Sequence, residues 1–144
     1  MALNNMKTAT ITFHAPNNNG SFLQAYALQK YITTHFDNVE NEIIDFQPES
    51  QQQQYAIFRK IHSKKDILRN LISSWHYKAL SKRFLAFSEM REKYLKMTKR
   101  CTTTEEAIKI AGNYDLVIAG SDQIWNTTAR DFSEAFFLPG LHML

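Results

Sequence analysis

The chain has 144 residues, of which 44% are hydrophobic and 22% are charged, and its formal net charge is +3. This balance is typical of a soluble globular domain with a core of its own. No apolar run is long enough for a transmembrane helix, and the first residues lack the apolar stretch of a secretory signal. Cys101 is the single cysteine, which excludes an internal disulfide, and we expect a cytoplasmic protein.

The first elements predicted are a strand, a helix and a second strand. Residues 8–14 alternate threonine with apolar residues, which is typical of a β-strand. Residues 15–20 break this pattern, and Ser21 is the predicted N-cap of a helix. Residues 22–32 are apolar around almost the whole helix, which predicts a helix buried on all sides. Residues 39–46 predict the second strand.

The middle of the chain is predicted to be helical. The glutamine-rich residues 47–54 predict a loop, whereas residues 57–96 carry apolar side chains at three- and four-residue steps. Thr103 and Glu106 have the spacing of a capping box, and Gly112 suits the end of the short helix that follows.

The basic charge is concentrated in this helical part of the chain. Residues 55–100 hold 13 Lys and Arg against 3 Asp and Glu, a local charge of +10, and the remainder has a charge of −7. The commonest cause is a solvated surface on which lysine stems cover apolar residues. Contact with an anionic membrane ranks second and nucleic acid third, and no known nucleic-acid motif is present.

A third strand completes the predicted sheet. Residues 116–119 form a continuous apolar run, as in parallel strands that are covered on both faces. The order strand, helix, strand, helices, strand predicts an α/β fold with a Rossmann-like open parallel sheet flanked by helices. We expect a single domain over residues 1–144 with a basic helical insertion at about 55–100.

Two polar loops follow predicted strands, where ligands bind in open parallel sheets. In residues 15–20, Asn18 and Asn19 offer uncharged donors and acceptors for sugar hydroxyls or phosphate oxygens. Gly20 allows close approach to a helix N-terminus, whose free N–H groups attract anions. A plain turn explains the same residues equally well.

The second loop, residues 120–126, reads GSDQIWN. Asp122 has the chemistry of a general base or of a ligand for a sugar hydroxyl, and it or Ser121 could instead cap a helix. Trp125 could stack on a pyranose ring, although a core position is favoured on the local pattern. His14 ends the first predicted strand beside the first loop, and a lone histidine is more often structural than catalytic.

Taken together, the two loops resemble the polysaccharide pyruvyl transferase family. TFHAPNNNGSFLQAYALQ is similar to the family's opening, T-F-H-x-x-x-N-Y-G-A-x-L-Q-A-Y-A-L-Q, and GSDQIWN matches its second hallmark, G-S-D-Q-[VI]-W-N. Asn19 stands where the family usually has Tyr, and Ser21 stands where it usually has Ala. The resemblance covers nearly all of this chain but only about the N-terminal half of the family pattern, whose members resemble two-domain GT-B glycosyltransferases.

The resemblance implies transfer of a pyruvyl group from phosphoenolpyruvate to a sugar hydroxyl, as a ketal, in cell-surface polysaccharide synthesis. Phosphoenolpyruvate is the donor substrate, a sugar or lipid-linked saccharide is the acceptor, and no metal or other cofactor is expected. Asp122 and His14 become the acid–base candidates. The substrate-binding candidates are Asn18, Asn19, Gly20, Ser21, Ser121, Gln123, Trp125 and Asn126.

The same resemblance bears on partners and location. The family's second domain is expected to be absent from this chain and to supply much of the donor site, and a homo-oligomer is an alternative. No Arg or Lys pair is obvious at the loops apart from Arg130. We expect contact with the inner face of a membrane and no nucleic acid. The alternative function is a non-catalytic α/β module that binds an anionic membrane or nucleic acid through its basic helices.

Overall fold

The computed structural model describes residues 5–120, 122–128 and 132–140. Its strands and helices alternate as the sequence predicts. In chain order they are β1 (Met6–Ile11), α1 (Asn19–His35), β2 (Val39–Ile43), α2 (Glu49–Tyr55), α3 (Lys64–Trp75), α4 (Tyr77–Tyr94), α5 (Thr104–Ala111) and β3 (Leu116–Ala119), with 3-10 helices at Asp122–Trp125 and Glu134–Phe137.

The three strands form one parallel sheet in the order β2-β1-β3. β1 is therefore the central strand, and Thr10 pairs with Ile43 on one side and with Ile118 on the other. Parallel neighbours need a crossover connection, and α1 supplies it between β1 and β2. The predicted Rossmann-like open sheet flanked by helices is confirmed.

One face of the sheet is covered by an apolar core. The inward side chains Ala9 and Ile11 of β1 pack with Phe136 from the last 3-10 helix and with Ala107 and Ala111 of α5. α5 has the predicted capping box, in which Thr103 accepts from the Glu106 N–H and Glu106 accepts from the backbone of Thr103. The capping box therefore starts this short helix at the residue that the sequence predicts.

The opposite face of the sheet meets α1 through buried polar groups. The Asn41 amide donates to the hydroxyls of Thr8 and Thr10, at 2.9 and 3.1 Å. Gln29 of α1 donates to the Asn41 carbonyl, at 3.1 Å, and accepts from the Lys96 N–H, at 2.9 Å. Because buried amides are costly unless bonded, these contacts specify how α1 and the chain after α4 lie against β2.

The composition of α1 predicts a helix that is buried on all sides, but the structure buries one side only. Its buried residues are Phe22, Ala25, Gln29 and Ile32, which lie on one side of the helix. Leu23 and Tyr31, on the other side, are 57% and 54% exposed. The prediction is wrong because a helix that covers an open sheet contacts it with one side only.

Three further predictions about the elements need correction. β1 and β2 end at Ile11 and Ile43, earlier than predicted, and the last residue of β2 and the chain after it pair with the segment after α4 in isolated bridges, Ile43 with Met97 and Phe46 with Cys101. The glutamine-rich residues 47–54 lie largely in a helix, α2. β3 is not covered on both faces, since Leu116 and Ala119 are exposed and Val117 and Ile118 are only half-buried; it is also an edge strand, which pairs only with β1 among the described residues.

The residues predicted to form the basic helical insertion do form helices, α3 and α4, joined at His76. Within the described residues, none of the helices has both the length and the apolar character that crossing a membrane requires.

We expect Phe136→Ala to lower the free energy of unfolding by about 3–5 kcal/mol, because the change leaves a cavity in the core. Phe136 is 1% exposed, and its ring lies 4.7 Å from that of Phe13 and 5.5 Å from that of Phe46. Urea unfolding measures the change. Trp75→Ala is the control, since Trp75 is 88% exposed and should change stability little. Equal losses in both variants would contradict the assigned core.

Candidate functional site

The two polar loops leave the sheet at the same edge. Ile11 pairs with Ala119, and the Gly120 N–H donates to the Ile11 carbonyl at 3.0 Å, so the chain after β1 and the chain after β3 diverge from adjacent points. A side chain at Gly120 would place its Cβ 2.8 Å from Leu28 Cδ2 of α1. Glycine therefore permits the close approach of α1 to the end of β3.

The first loop presents its asparagines at the start of α1. The side chain of Asn18 accepts from the Gly20 N–H at 2.8 Å, which makes Asn18 the N-cap in place of the predicted Ser21. Asn18, Asn19 and Gly20 are exposed, and Ser21 is half-buried in the first turn. The free N–H groups of this helix end therefore lie at an open surface beside amide side chains.

Two arginines of α4 hold this loop in place. Arg91, which is buried, donates Nη1 to the Ala15 carbonyl at 3.0 Å and to Asn17 Oδ1 at 3.3 Å. Arg83 donates Nη2 to the Asn17 carbonyl at 2.7 Å. Burial lowers the pKa of Arg91, while the nearby negative charge of Asp45 opposes that shift. The basic helices thus contact the loop directly, which their sequence does not indicate.

His14 lies beneath the loop in a buried hydrogen-bond network. Its ring is fully buried, with Nε2 2.9 Å from Asp45 Oδ1 and Nδ1 3.1 Å from the Thr12 carbonyl. Both ring nitrogens lie within hydrogen-bond distance of an oxygen, so the orientation of the ring is fixed from two sides. A catalytic role for His14 therefore requires a movement that exposes the ring, and it stays a prediction.

Asp45 is the centre of this network. Its Oδ1 also accepts from Gln47 Nε2 at 2.6 Å, and its Oδ2 accepts from Arg100 Nε at 3.1 Å. Burial opposes ionisation of Asp45, but bonding to His14, the charge of His14, bonding to Gln47 and the charge of Arg100 together lower its pKa from 3.8 to about 2. The sequence signal that could have identified Asp45 is a carboxylate directly after a buried strand.

The second loop exposes its aromatic residue. Ile124 is buried in the core, whereas Trp125 is 54% exposed and lies edge-on to Phe137, with ring centroids 5.2 Å apart. The core position favoured for Trp125 on local pattern is therefore wrong, because Ile124 takes it. Asn126 Oδ1 accepts from the N–H and the hydroxyl of Thr128, at 3.1 and 2.7 Å, and so closes a turn.

Several predicted site groups lie outside the described residues. Ser121 and Arg130 are among them. Asp122 and Gln123 belong to the 3-10 helix Asp122–Trp125, but their side chains also lie outside what the structure describes. Their roles stay predictions.

A cleft of about 640 Å³ lies between the first loop and the basic helices. We call it the arginine cleft, because Arg59, Arg69 and Arg83 line it opposite residues 17–19. No Asp or Glu is among its described lining residues, and none of the three arginines pairs with a carboxylate in the described part of the chain. The arrangement suits an anion with several oxygens.

The charges in the cleft act on one another. Burial and the positive charge of Arg59 lower the pKa of Arg69, whereas the negative charge of Asp66 raises it. The Arg59 Nε is buried without a hydrogen-bond partner among the described residues. No Arg or Lys pair is obvious in the sequence of the loops apart from Arg130, but α3 and α4 bring distant arginines to the first loop.

Two other kinds of chemistry find no support in the described residues. Burial raises the pKa of Cys101 to about 11, which disfavours a reactive thiolate. The residues that the structure covers contain no group of three or more His, Cys, Asp or Glu placed to hold a metal ion.

Comparison with known proteins gave one result. A family model described as polysaccharide pyruvyl transferase matches residues 18–142. The comparisons with curated proteins and with solved structures found no match.

We expect Asp45→Asn to destabilise the protein at neutral pH by about 1–3 kcal/mol, because the amide replaces one acceptor oxygen of a buried group that bonds to His14, Gln47 and Arg100. The pKa of Asp45 is lower in the folded than in the unfolded chain, so its contribution is present above about pH 4 and is lost as the pH falls towards 2. Urea unfolding between pH 7 and about pH 2 measures this. Over that acid range the free energy of unfolding of the wild type should fall by about 2 kcal/mol more than that of Asp45→Asn.

Asp37→Asn, at an exposed aspartate, serves as the control and should follow the wild type. Parallel acid profiles for Asp45→Asn and the wild type would contradict the charge assigned to this network.

Proposed function

Because the chain belongs to the polysaccharide pyruvyl transferase family, we propose that it takes phosphoenolpyruvate as donor and transfers the pyruvyl group to a saccharide acceptor for a cell-surface polysaccharide. The reaction would take place at the sheet edge where the two polar loops emerge. The observation that carries this proposal is the arginine cleft beside the first loop, since an anionic donor needs cations there.

The chemistry makes demands on the site that can be stated from the substrates. Protonation of the enol carbon gives an oxocarbenium-like centre, which a sugar hydroxyl attacks. The carbon–oxygen bond to phosphate then breaks, which regenerates an oxocarbenium-like centre, and a second hydroxyl attacks that centre to close the ketal. Each hydroxyl gives up one proton, so one replaces the proton added to the enol carbon and the other leaves with the phosphate. The site needs an acid for the carbon, a base for the hydroxyls, and positive charge for the phosphate and carboxylate.

The donor's anionic groups have matching partners in the arginine cleft. The side chain of Arg69 makes no hydrogen bond to any described residue, and the side chain of Arg83 is anchored to the loop through one nitrogen only, so both guanidinium groups retain free N–H donors. Planar guanidinium groups bind carboxylate and phosphate through paired hydrogen bonds. We assign these two side chains to the phosphate or carboxylate of phosphoenolpyruvate.

The acceptor would lie across the exposed groups of both loops. Asn18 and Asn19 offer amide donors and acceptors to hydroxyls, and the exposed ring of Trp125 offers a flat apolar face to a pyranose. Asp122 begins the 3-10 helix of the second loop, and we assign it the proton transfer. His14 and Asp45, both buried, are positioning residues that fix the end of β1 and the chain after β2.

We expect phosphoenolpyruvate to raise the melting temperature of the protein, since a ligand that binds the folded state stabilises it. In Arg69→Gln the affinity should fall about tenfold, because one charged hydrogen-bonding partner is lost. A thermal-shift titration measures both effects. Lys109→Gln, at an exposed position of α5, removes the same charge and should bind like the wild type. Equal affinities in the two variants would contradict the assignment of the cleft.

We expect Asp122→Ala to lower the rate of phosphate release from phosphoenolpyruvate about 10²–10⁴-fold, the usual contribution of a general acid or base. Phosphate release is measured with a panel of saccharide acceptors, and donor affinity should change little. Asp37→Ala is the control at an exposed aspartate. A normal rate in Asp122→Ala would remove Asp122 from the proposed mechanism.

A further inference from the structure

α3 carries a continuous apolar stripe that faces outward. The stripe consists of Ile67, Leu68, Leu71, Ile72 and Trp75, which are 54%, 60%, 68%, 55% and 88% exposed. At 100° per residue these positions fall within about 140° of the helix circumference, so they form one surface. Scattered exposed apolar residues are normal, but a contiguous surface of large ones marks an interaction site.

The opposite side of α3, which is polar, faces the rest of the protein. Ser73 is buried, and Asn70 bonds to the backbone of Arg59, accepting from its N–H at 3.0 Å and donating to its carbonyl at 2.9 Å. A surface helix ordinarily buries its apolar side and exposes its polar side. α3 has the reverse orientation, which leaves its apolar stripe unpartnered within the described residues.

Exposed lysines lie on the same helix as the stripe and on the helix that follows it. Lys64 and Lys65 lie in the first turn of α3, and Lys78 and Lys82 lie on α4. All four are exposed, and none pairs with a carboxylate in the portion of the chain that the structure describes. Their charge is therefore available to an anionic surface.

We propose that the apolar stripe of α3 and the exposed lysines of α3 and α4 dock on the surface of an anionic lipid bilayer, with α3 lying in the plane of the interface. A helix with Leu, Ile and Trp on one side and Lys close by has the composition of an interfacial membrane helix. Lysine is depleted in protein–protein interfaces, which argues against a second copy of the chain as the occupant. Trp75 supplies the amphipathic ring that is enriched at the headgroup level.

Docking in this way would place the candidate site next to the bilayer. The inward side of α3 contributes Arg69 and Ser73 to the arginine cleft, whereas its outward side carries the stripe. The cleft and the lipid surface would then be separated by about one helix diameter, roughly 10 Å. An acceptor anchored in the same membrane would therefore reach the cleft without leaving the surface.

The first test is sedimentation of the full chain with vesicles of phosphatidylcholine, alone or with about one-third phosphatidylglycerol. Binding should appear with the anionic vesicles and fall steeply with salt. The double variant Leu68→Gln, Leu71→Gln should bind at least about tenfold more weakly. Leu23→Gln is the matched control, since Leu23 is a similarly exposed leucine on α1 and should bind like the wild type.

Charge is tested in the same assay. Lys64→Gln with Lys65→Gln should weaken binding to the anionic vesicles about fivefold to tenfold. Lys30→Gln with Lys109→Gln removes the same charge from α1 and α5 and should have little effect. Equal losses in the two double variants would show attraction by net charge alone and would overturn docking through α3.

Fluorescence gives a second measurement that does not depend on the glutamine variants. In Trp125→Phe, Trp75 is the remaining tryptophan, and its emission should shift to the blue with anionic vesicles and be quenched by brominated lipid tails. Unchanged emission, or no binding to anionic vesicles, would overturn the proposal. A dimer that forms without lipid and is lost in the double variant Leu68→Gln, Leu71→Gln would also overturn the proposal, since a second copy of the chain would then cover the stripe. None of these outcomes depends on phosphoenolpyruvate, so the proposed transfer reaction is tested separately.

Discussion

The buried contact between His14 and Asp45 is the constraint on which the candidate site depends. It joins the chain that follows β1 to the chain that follows β2, at 2.9 Å, beneath the loop that begins α1. Arg100 adds a second cation to the same carboxylate, so the returning chain after α4 is held to the same point. Because His14 and Asp45 are buried, removing either leaves the other without its hydrogen-bond partner, whereas Arg100 reaches the carboxylate from the surface. The loop is therefore presented from a rigid base.

The basic charge of residues 55–100 divides into two groups with different physical roles. Arg91 and Arg83 bond to the first loop, and Arg69 lines the cleft. Lys64, Lys65, Lys78 and Lys82 are exposed and make no ion pair among the described residues. Guanidinium groups are less strongly hydrated and bond in a plane, whereas ammonium groups keep their water, and this difference explains the division.

The orientation of α3 connects these two groups. Its polar side contributes to the arginine cleft, and its apolar side is open, so one helix separates a site for an anion from a surface suited to lipid. A conventional orientation would bury the stripe and expose the polar side, and it would remove both features. We therefore regard the proposed membrane contact and the proposed donor site as parts of one arrangement.

The sequence by itself determined the elements that depend on local pattern. Strand periodicity, the capping box at Thr103 and the family motifs were enough to predict a parallel sheet with two polar loops. Each of these signals is carried by residues that are close together in the sequence. Only the tertiary structure decided which sides of the helices are buried, that Trp125 is exposed, that Arg69 lines the cleft beside the first loop, and that Asp45 bonds to His14. Those facts depend on contacts between residues far apart in the chain. The hydrophobic pattern of a helix shows that it has an apolar and a polar side, but it does not determine which side faces the protein.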